Sequence, residues 1–244
     1  MQAESLSPSR GVNTAKGETE LVELSHIQQV VVRRAAESKA TVPDFALVGE
    51  VEMDRCLALR AKLQPLGGQA PSINDMIVKA CALALREHPR ANGAYRDGRW
   101  ELYSRVNVGV AVAAPEALLV PTVFDADLKS LEQIAADTVR LAERARSGSI
   151  EPPELAGGTF TVSNLGMFGV DRFTALINPP QAAVLAVGAT VQRLRVLDGA
   201  PAVRSVMDLT LTCDHRILYG ADAARFLARI RELLESPAAL LAAA

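Results

Sequence analysis

The chain has 244 residues, of which 49% are hydrophobic and 22% are charged, and its formal net charge is −2. This composition is typical of a folded protein with a sizeable core and excludes a disordered chain. A net charge this close to zero, with its positive charges dispersed, gives no basis for binding nucleic acid or a membrane surface.

Cysteine usage and apolar runs bear on the cellular compartment. Cys56, Cys81 and Cys213 lie in apolar settings without CxxC spacing, which indicates buried thiols and neither a disulfide framework nor a metal site. The N-terminus lacks the apolar core of a signal peptide, and no apolar run reaches transmembrane length. We therefore expect a cytoplasmic protein.

The elements predicted along the chain are helices and strands in mixed order. Residues 1–20, rich in Ser, Gly, Thr and charge, predict a disordered tail or linker, and residues 21–244 predict one domain. Helical spacing covers 27–38 (after a possible Ser25 cap), 54–63, 76–88 (led in by residues 72–75), 130–147 and 223–234. Strand patterns cover 45–51, 105–113, 118–123, 159–163, 182–190 and 206–213, with turn signals at Gly67-Gly68, Asp97-Gly98 and Asp198-Gly199. This order predicts an α/β (α+β) domain without strict βαβ alternation.

His215, one of three histidines, stands where the predicted strand 206–213 has ended and before the last helix. Such a position is rigid and partly exposed, which suits a group that transfers protons. A lone histidine before a helix is more often a cap or a satisfied surface residue. His215 is therefore a candidate base that needs a second group beside it.

The second group is Ser163, at the end of the predicted strand 159–163 and ahead of a Gly-rich turn. A hydroxyl fixed there can donate a hydrogen bond to an oxyanion, although it could equally be a turn or capping residue. No GxSxG elbow is present, so Ser163 need not be a nucleophile. A base and an oxyanion donor are the minimum for acyl transfer between two thiols.

The motifs that carry these two residues resemble a known family. They are Asp214-His215-Arg216 and residues 158–166 (GTFTVSNLG), supported by 34–38, 51–60 and the Asn-Pro-Pro-Gln run at 178–181. Over residues 21–237 the chain resembles the catalytic domain of the dihydrolipoyl acyltransferases of 2-oxo acid dehydrogenase complexes. That domain is similar in fold to chloramphenicol acetyltransferase, which implies a two-layer sandwich of a mixed sheet with flanking helices.

The resemblance implies a specific reaction and assembly. His215 would be the base for the thiol of coenzyme A, Ser163 would stabilise the oxyanion, and the acyl group, with acetyl favoured, would come from a dihydrolipoyl arm. The site would lie between subunits of a homotrimer, which could assemble into a cage through residues 237–241. The complex would be a pyruvate dehydrogenase, and a separate domain or protein would carry the lipoyl group. Four positions match residues that contact coenzyme A in the family: Arg60, Ser72, Asn164 and Gly188.

The main departure from the family pattern is Tyr219, because the family commonly has aspartate four residues after the histidine. We interpret the change as compatible with catalysis, with another arrangement supporting the loop. It also leaves a second hypothesis open, in which the chain is a catalytically retired scaffold. A third hypothesis keeps the chemistry and replaces the lipoyl arm with a phosphopantetheinyl carrier protein.

Overall fold

A computed structural model describes residues 15–64, 70–197 and 199–241. Within those ranges five α-helices and ten β-strands follow one another in the mixed order that the sequence predicts. The helices are α1 (His26–Thr41), α2 (Asp54–Leu63), α3 (Ile73–Glu87), α4 (Leu131–Ser147) and α5 (Gly220–Glu235). The strands are β1 (Asp44–Glu52), β2 (Gly93–Arg96), β3 (Arg99–Leu102), β4 (Val108–Val110), β5 (Val112–Ala113), β6 (Leu118–Leu119), β7 (Thr122–Val123), β8 (Phe160–Asn164), β9 (Ala183–Leu197) and β10 (Ala200–Asp214).

Six of these strands form one mixed sheet in the order β1-β10-β9-β8-β4-β7. The pairs β1–β10, β10–β9 and β4–β7 are antiparallel, whereas β9–β8 and β8–β4 are parallel. Two small two-stranded sheets, β2–β3 and β5–β6, stand beside it. The predicted mixed sheet with flanking helices is confirmed.

Capping explains where three of the helices begin. The side chains of Ser25, Ser72 and Ser130 each accept a hydrogen bond from the backbone N–H three residues later. In return, the backbone N–H of each serine donates to the side chain of that third residue. A capping box of this kind satisfies two of the N–H groups that a helix start leaves without partners. The predicted starts near Ser25 and Ser130, and within residues 72–75, are confirmed.

The longest strands differ most from the prediction. The sequence predicts strands over 182–190 and 206–213, with a turn signal at Asp198-Gly199 between them. The structure instead has two continuous 15-residue strands, β9 and β10, which form one long hairpin. The first half of β9 is buried and the second half alternates between half-buried and exposed residues. That change of pattern along one strand explains why the sequence suggests a break.

Helices α2 to α5 cover one face of the sheet and form the second layer. α5 approaches β1 closely at Gly49, where an added Cβ would come within 3.2 Å of the Arg231 side chain. Phe160 of β8 meets Phe226 of α5 edge to face, with ring centroids 5.7 Å apart. Because Phe160 and Val162 face this core, the alternating residues Thr161 and Ser163 lie on the other face of the sheet.

The sequence also makes predictions for the turns and for both ends of the chain. The predicted hairpin turn Asp97-Gly98 is confirmed, with φ of 47° and 78°. Gly67-Gly68, Asp198 and most of the predicted tail lie outside the described residues, so the boundary at residue 20 stays a prediction. Leu240, in the short turn Pro237–Leu241, is buried in the core of its own chain. Across the described ranges, the helices are all too short or too polar to cross a membrane.

Candidate active site

His215 lies immediately after β10, on the outside of the molecule. Its backbone N–H donates to the carbonyl oxygen of Pro43 at 3.0 Å, which fixes the start of the loop against the chain that leads into β1. The imidazole packs against Phe45, with ring centroids 4.7 Å apart, and against Tyr219 at 5.7 Å. The side chain is exposed. A ring held on two sides but open to solvent can reach a substrate.

The residues on either side of His215 form a tight ion pair. Asp214 is buried at the end of β10, and its carboxylate accepts from both the backbone N–H and the guanidinium of Arg216. Hydrogen bonding to Asp214 raises the pKa of Arg216 above its usual value. The guanidinium also lies over the ring of Tyr95, 4.6 Å from its centroid. The backbone around the histidine is therefore held in one shape.

Ser163 is the next-to-last residue of β8 and is half-buried. Its side chain points to the sheet face opposite the helices. Its hydroxyl makes no hydrogen bond to any other residue in the described ranges, so it is available to donate to a ligand. Strand pairing on both sides fixes the backbone, because Ser163 pairs with Ala186 of β9 and Val162 pairs with Val110 of β4.

A polar junction ties the end of β8 to the start of α3. Asn164 donates to the Asn74 side-chain oxygen at 3.1 Å and accepts from the backbone N–H of Gly166 at 2.9 Å. Ser72 caps α3 through Asp75. Two of the four predicted coenzyme A positions, Ser72 and Asn164, thus belong to one cluster near Ser163. The sequence offers no signal for Asn74, since the capping-box pattern involves only residues 72 and 75.

Gly188 lies at the same end of the sheet, on β9. An added Cβ there would come within 1.9 Å of the carbonyl oxygen of Asp171, and one on Gly166 would come within 2.5 Å of the carbonyl oxygen of Gly188. Backbone segments therefore cross β9 at a separation that only glycine permits. This close approach explains both glycines by packing and positions the segment that follows Ser163.

Arg60, the fourth predicted position, is exposed in the last turn of α2. Its side chain forms no ion pair with a charged group in the described ranges. The described contacts do not join Arg60 to the cluster of Ser72, Asn164 and Gly188. Its role in binding a ligand stays a prediction.

Ser163 and His215 lie at opposite ends of the sheet within one chain. Ser163 pairs with Ala186, and Ala186 pairs with Thr210. His215 lies five residues past Thr210, which is about 16 Å along the strand, and two strand spacings add about 10 Å across it. The two Cα atoms are therefore roughly 19 Å apart, so a single chain does not bring the pair together.

The cysteines do not supply a nucleophile beside His215. Burial, followed by the charge of Asp214, raises the pKa of the Cys213 thiol to about 12. Burial alone raises the pKa of Cys56 to about 11. A thiol with so high a pKa stays protonated near neutral pH and is inert. The cysteines therefore pack as core residues, as the sequence suggests.

Comparison with known proteins decides the family. The model of the 2-oxoacid dehydrogenases acyltransferase (catalytic domain) family matches residues 16–242, which is nearly the whole chain. The chain belongs to this acyltransferase family. Among curated relatives of this chain, the acetyltransferase component of the mitochondrial pyruvate dehydrogenase complex of Caenorhabditis elegans is 44% identical over 230 residues. That match covers 90% of this chain and 45% of the relative, so the chain spans about half the length of the curated relatives it matches.

Solved structures confirm the fold of this chain. The dihydrolipoamide acetyltransferase of Azotobacter vinelandii is 32% identical with a TM-score of 0.89, covering 97% of this chain and all of the other. The cubic core of a pyruvate dehydrogenase multienzyme complex is 33% identical with the same TM-score and coverage. A chloramphenicol acetyltransferase at 17% identity and a TM-score of 0.53, covering 86% of this chain and 94% of its own, shares the fold alone.

The Azotobacter structure belongs to a study of a serine, a histidine and an asparagine in the catalytic mechanism of that enzyme. Its serine and histidine are separated by the same number of residues as Ser163 and His215 in this chain. Its asparagine comes four residues after the histidine, where this chain has Tyr219. The polar residue of that relative is thus replaced by an aromatic one.

Proposed function

We propose that this chain transfers an acyl group, with acetyl favoured, between the dihydrolipoyl arm of a carrier domain and coenzyme A. The observation that carries the proposal is the pair Ser163 and His215, at the separation found in the Azotobacter acetyltransferase. In both proteins the pair stands on the same fold. His215 is exposed and Ser163 has a hydroxyl without another partner in the described ranges, as the two roles require.

The reaction needs one base and one oxyanion donor. His215 takes the proton from the thiol of coenzyme A, and the resulting thiolate attacks the carbonyl carbon of the acyl-dihydrolipoyl thioester. The carbonyl π electrons move onto oxygen, where the Ser163 hydroxyl donates a hydrogen bond to the negative charge. The intermediate then expels the dihydrolipoyl thiolate, which recovers the proton from the imidazolium of His215. Atoms and charge balance without an oxidant or metal.

The active unit in this proposal is a homotrimer. A separation of roughly 19 Å is far beyond the hydrogen-bond reach that a base needs, so the histidine of one chain must face the serine of a neighbour. A ring of three chains repeats one head-to-tail interface and generates three such sites. Assembly of trimers into a larger cage, with residues 237–241 at the contact, remains a prediction.

Coenzyme A enters this site as a substrate. Ser72, Asn164 and Gly188 cluster beside Ser163, which supports an approach of the coenzyme from that end of the sheet. Arg60 would contribute its positive charge to the anionic part of the coenzyme. The lipoyl arm would arrive from the other side, beside His215. The lipoyl carrier, the pyruvate dehydrogenase partners and the cytoplasmic location belong to the proposal as well.

The scaffold hypothesis predicts a different outcome from the same protein. A retired core would bind neither coenzyme A nor an acyl-lipoyl substrate. Tyr219 is the feature that favours it, and the retention of both Ser163 and His215 argues against it. A phosphopantetheinyl carrier would serve the same chemistry, so substitution of the carrier in the assay separates that hypothesis.

Mixing two inactive variants tests both the reaction and the shared site. His215→Ala and Ser163→Ala should each transfer almost no acetyl from acetyl-dihydrolipoamide to coenzyme A. When the two variants are co-expressed in equal amounts, a site is complete only if one subunit supplies an intact His215 and its neighbour supplies an intact Ser163. Random assembly makes about a quarter of the sites complete. The expected rate is therefore about a quarter of that of the unmodified protein.

The controls separate the possible failures. Each variant mixed with itself should stay inactive, and sedimentation should give the same assembly for all samples. No transfer by the unmodified protein from lipoyl or phosphopantetheinyl thioesters would exclude the proposed reaction. Transfer by the unmodified protein without recovery in the mixture would place the two groups in one subunit and contradict the shared site.

A further inference from the structure

Aromatic rings enclose the imidazole of His215 from two sides. Phe45 of β1 lies 4.7 Å away between ring centroids, tilted by 52°, and Tyr219 lies 5.7 Å away, tilted by 46°. Phe45 also packs against the main core, so its ring is fixed. Tyr219 is the N-cap residue of α5 and is 46% exposed, so other contacts must hold its ring.

Those contacts come from a different part of the chain. The Trp100 ring of β3 meets Tyr219 edge to face, with centroids 6.4 Å apart. The guanidinium of Arg90 lies 5.3 Å from the Trp100 centroid and 5.5 Å from the Tyr219 centroid. A guanidinium within about 6 Å of two ring centroids is attracted to both faces. Tyr219, Trp100 and Arg90 therefore form one cluster, which we call the aromatic clamp.

The aromatic clamp is anchored at both ends. Arg90 forms an ion pair with Asp222 in the first turn of α5, at 2.5 Å. The indole N–H of Trp100 donates to the backbone carbonyl of Arg216 at 3.0 Å. The clamp thus connects the start of α5 to the residue that directly follows His215. Movement of the histidine loop would break the hydrogen bond from Trp100 to Arg216 and the ring contact between Trp100 and Tyr219.

The hydroxyl group of Tyr219 does not hold the loop. Its hydroxyl makes no hydrogen bond to any other residue in the described parts of the chain. The Azotobacter enzyme has an asparagine four residues after its histidine, and an asparagine acts through polar contacts. In this chain the corresponding position contacts its surroundings through the faces and edges of an aromatic ring.

We propose that Tyr219, fixed by Trp100 and Arg90, is the positioning residue that orients the His215 imidazole for proton transfer. The inference rests on the proposed acyl transfer, because orientation matters only if His215 is the base. It assigns a positioning role to an aromatic ring at the place where the Azotobacter relative has an asparagine. An imidazole misplaced by 1 Å transfers protons far less efficiently.

The first experiment compares substitutions of Tyr219 in the full chain. Tyr219→Leu removes the ring and should lower kcat about two- to thirteenfold, since one aromatic contact contributes about 0.5–1.5 kcal/mol. Tyr219→Phe keeps the ring and should recover most of that loss. Tyr219→Asn should be as slow as Tyr219→Leu, because the amide cannot replace contacts with Trp100 and Arg90.

Three measurements distinguish positioning from simple loss of folded protein. The KM for coenzyme A should change less than twofold in Tyr219→Leu, and calorimetry should give an unchanged number of coenzyme A molecules bound per chain. The midpoint of the acid limb of the pH–kcat profile should stay in place while the plateau falls. Tyr103→Leu, a matched tyrosine outside the clamp, should leave kcat unchanged.

Trp100 is the one tryptophan in the sequence, so its fluorescence reports the clamp directly. Acrylamide quenching of this residue should rise at least twofold in Tyr219→Leu and remain unchanged in Tyr219→Phe. This measurement needs no activity, so it tests the clamp even if the unmodified protein transfers no acetyl group and the proposed function fails.

Three results would overturn the inference. In an active protein, a Tyr219→Leu variant with unchanged kcat would show that the ring does not orient His215, while the proposed function would stand. Unchanged quenching of Trp100 in that variant would show that Tyr219 does not hold the clamp. Recovery of full activity by Tyr219→Asn would contradict the assignment to an aromatic ring.

Discussion

The two ends of the sheet hold their candidate catalytic groups by different means. Ser163 lies within β8, and backbone pairing with strands on both sides fixes it. His215 lies in a loop, and side-chain contacts with Phe45 and Tyr219 fix it. Strand pairing tolerates most side chains, whereas a loop held by side chains depends on which residues are present. At the histidine end this chain has the ring of Tyr219 where the Azotobacter relative has an asparagine.

The largest expected effect comes from His215→Ala. A positioned base contributes about 10²–10⁴-fold, so kcat for acetyl transfer should fall by about that factor. The free energy of unfolding should change by less than about 0.5 kcal/mol, because the side chain is exposed. Steady-state kinetics and urea unfolding measure the two quantities. A kcat within threefold of normal would show that His215 is not the base.

Ser163→Ala should have the next largest effect. Removal of one oxyanion donor costs about 2.7–4 kcal/mol of transition-state stabilisation, which lowers kcat about 10²–10³-fold. The KM for coenzyme A should change little, since the hydrogen bond strengthens only as charge develops on oxygen. Ser163→Thr, which keeps a hydroxyl, is the matched control and should retain more activity. Equal loss in both variants would point to packing in place of hydrogen bonding.

A lower pH should have a smaller effect, on the stability of the fold at the end of the sheet that holds Ser163. Asp208 of β10 is buried, and burial raises its pKa, but hydrogen bonds from Arg193 and Arg172 outweigh this and leave the pKa lowered. A lowered pKa in the folded state stabilises the fold above the ordinary pKa, and this stabilisation is lost as pH falls through the folded-state pKa. Acid should thus loosen the segment that includes Arg172, next to Gly188.

Asp208→Asn tests that linkage. At pH 7 the variant should be less stable by about 2 kcal/mol, because hydrogen bonds to a charged group are lost. The difference from the unmodified protein should shrink as pH falls below about 4, where the unfolded carboxyl group takes up its proton. Urea unfolding at several pH values measures both. Glu232→Gln, in an exposed ion pair, should show neither effect; a pH-independent difference for Asp208→Asn would exclude the linkage.

Much of the fold could be predicted because the signals are local. Ser72 and Asp75, four residues apart counted inclusively, predict the start of α3, and Asp97-Gly98 predicts a hairpin. Strand limits were harder, since β9 changes from buried to alternating along its length. The contact between Asn74 and Asn164 could not be predicted, because 90 residues separate the two side chains and Asn74 has no pattern of its own.

The sequence by itself determined the chemistry available to this protein: an imidazole after a strand, a hydroxyl at a strand end, and the motifs around them. These features are set by residues within a few positions of one another. Only the tertiary structure decided that the two groups lie at opposite ends of one sheet and that Trp100 and Arg90 meet Tyr219. Such contacts depend on strand register and loop direction, which join residues far apart in the chain and leave no periodic trace in it.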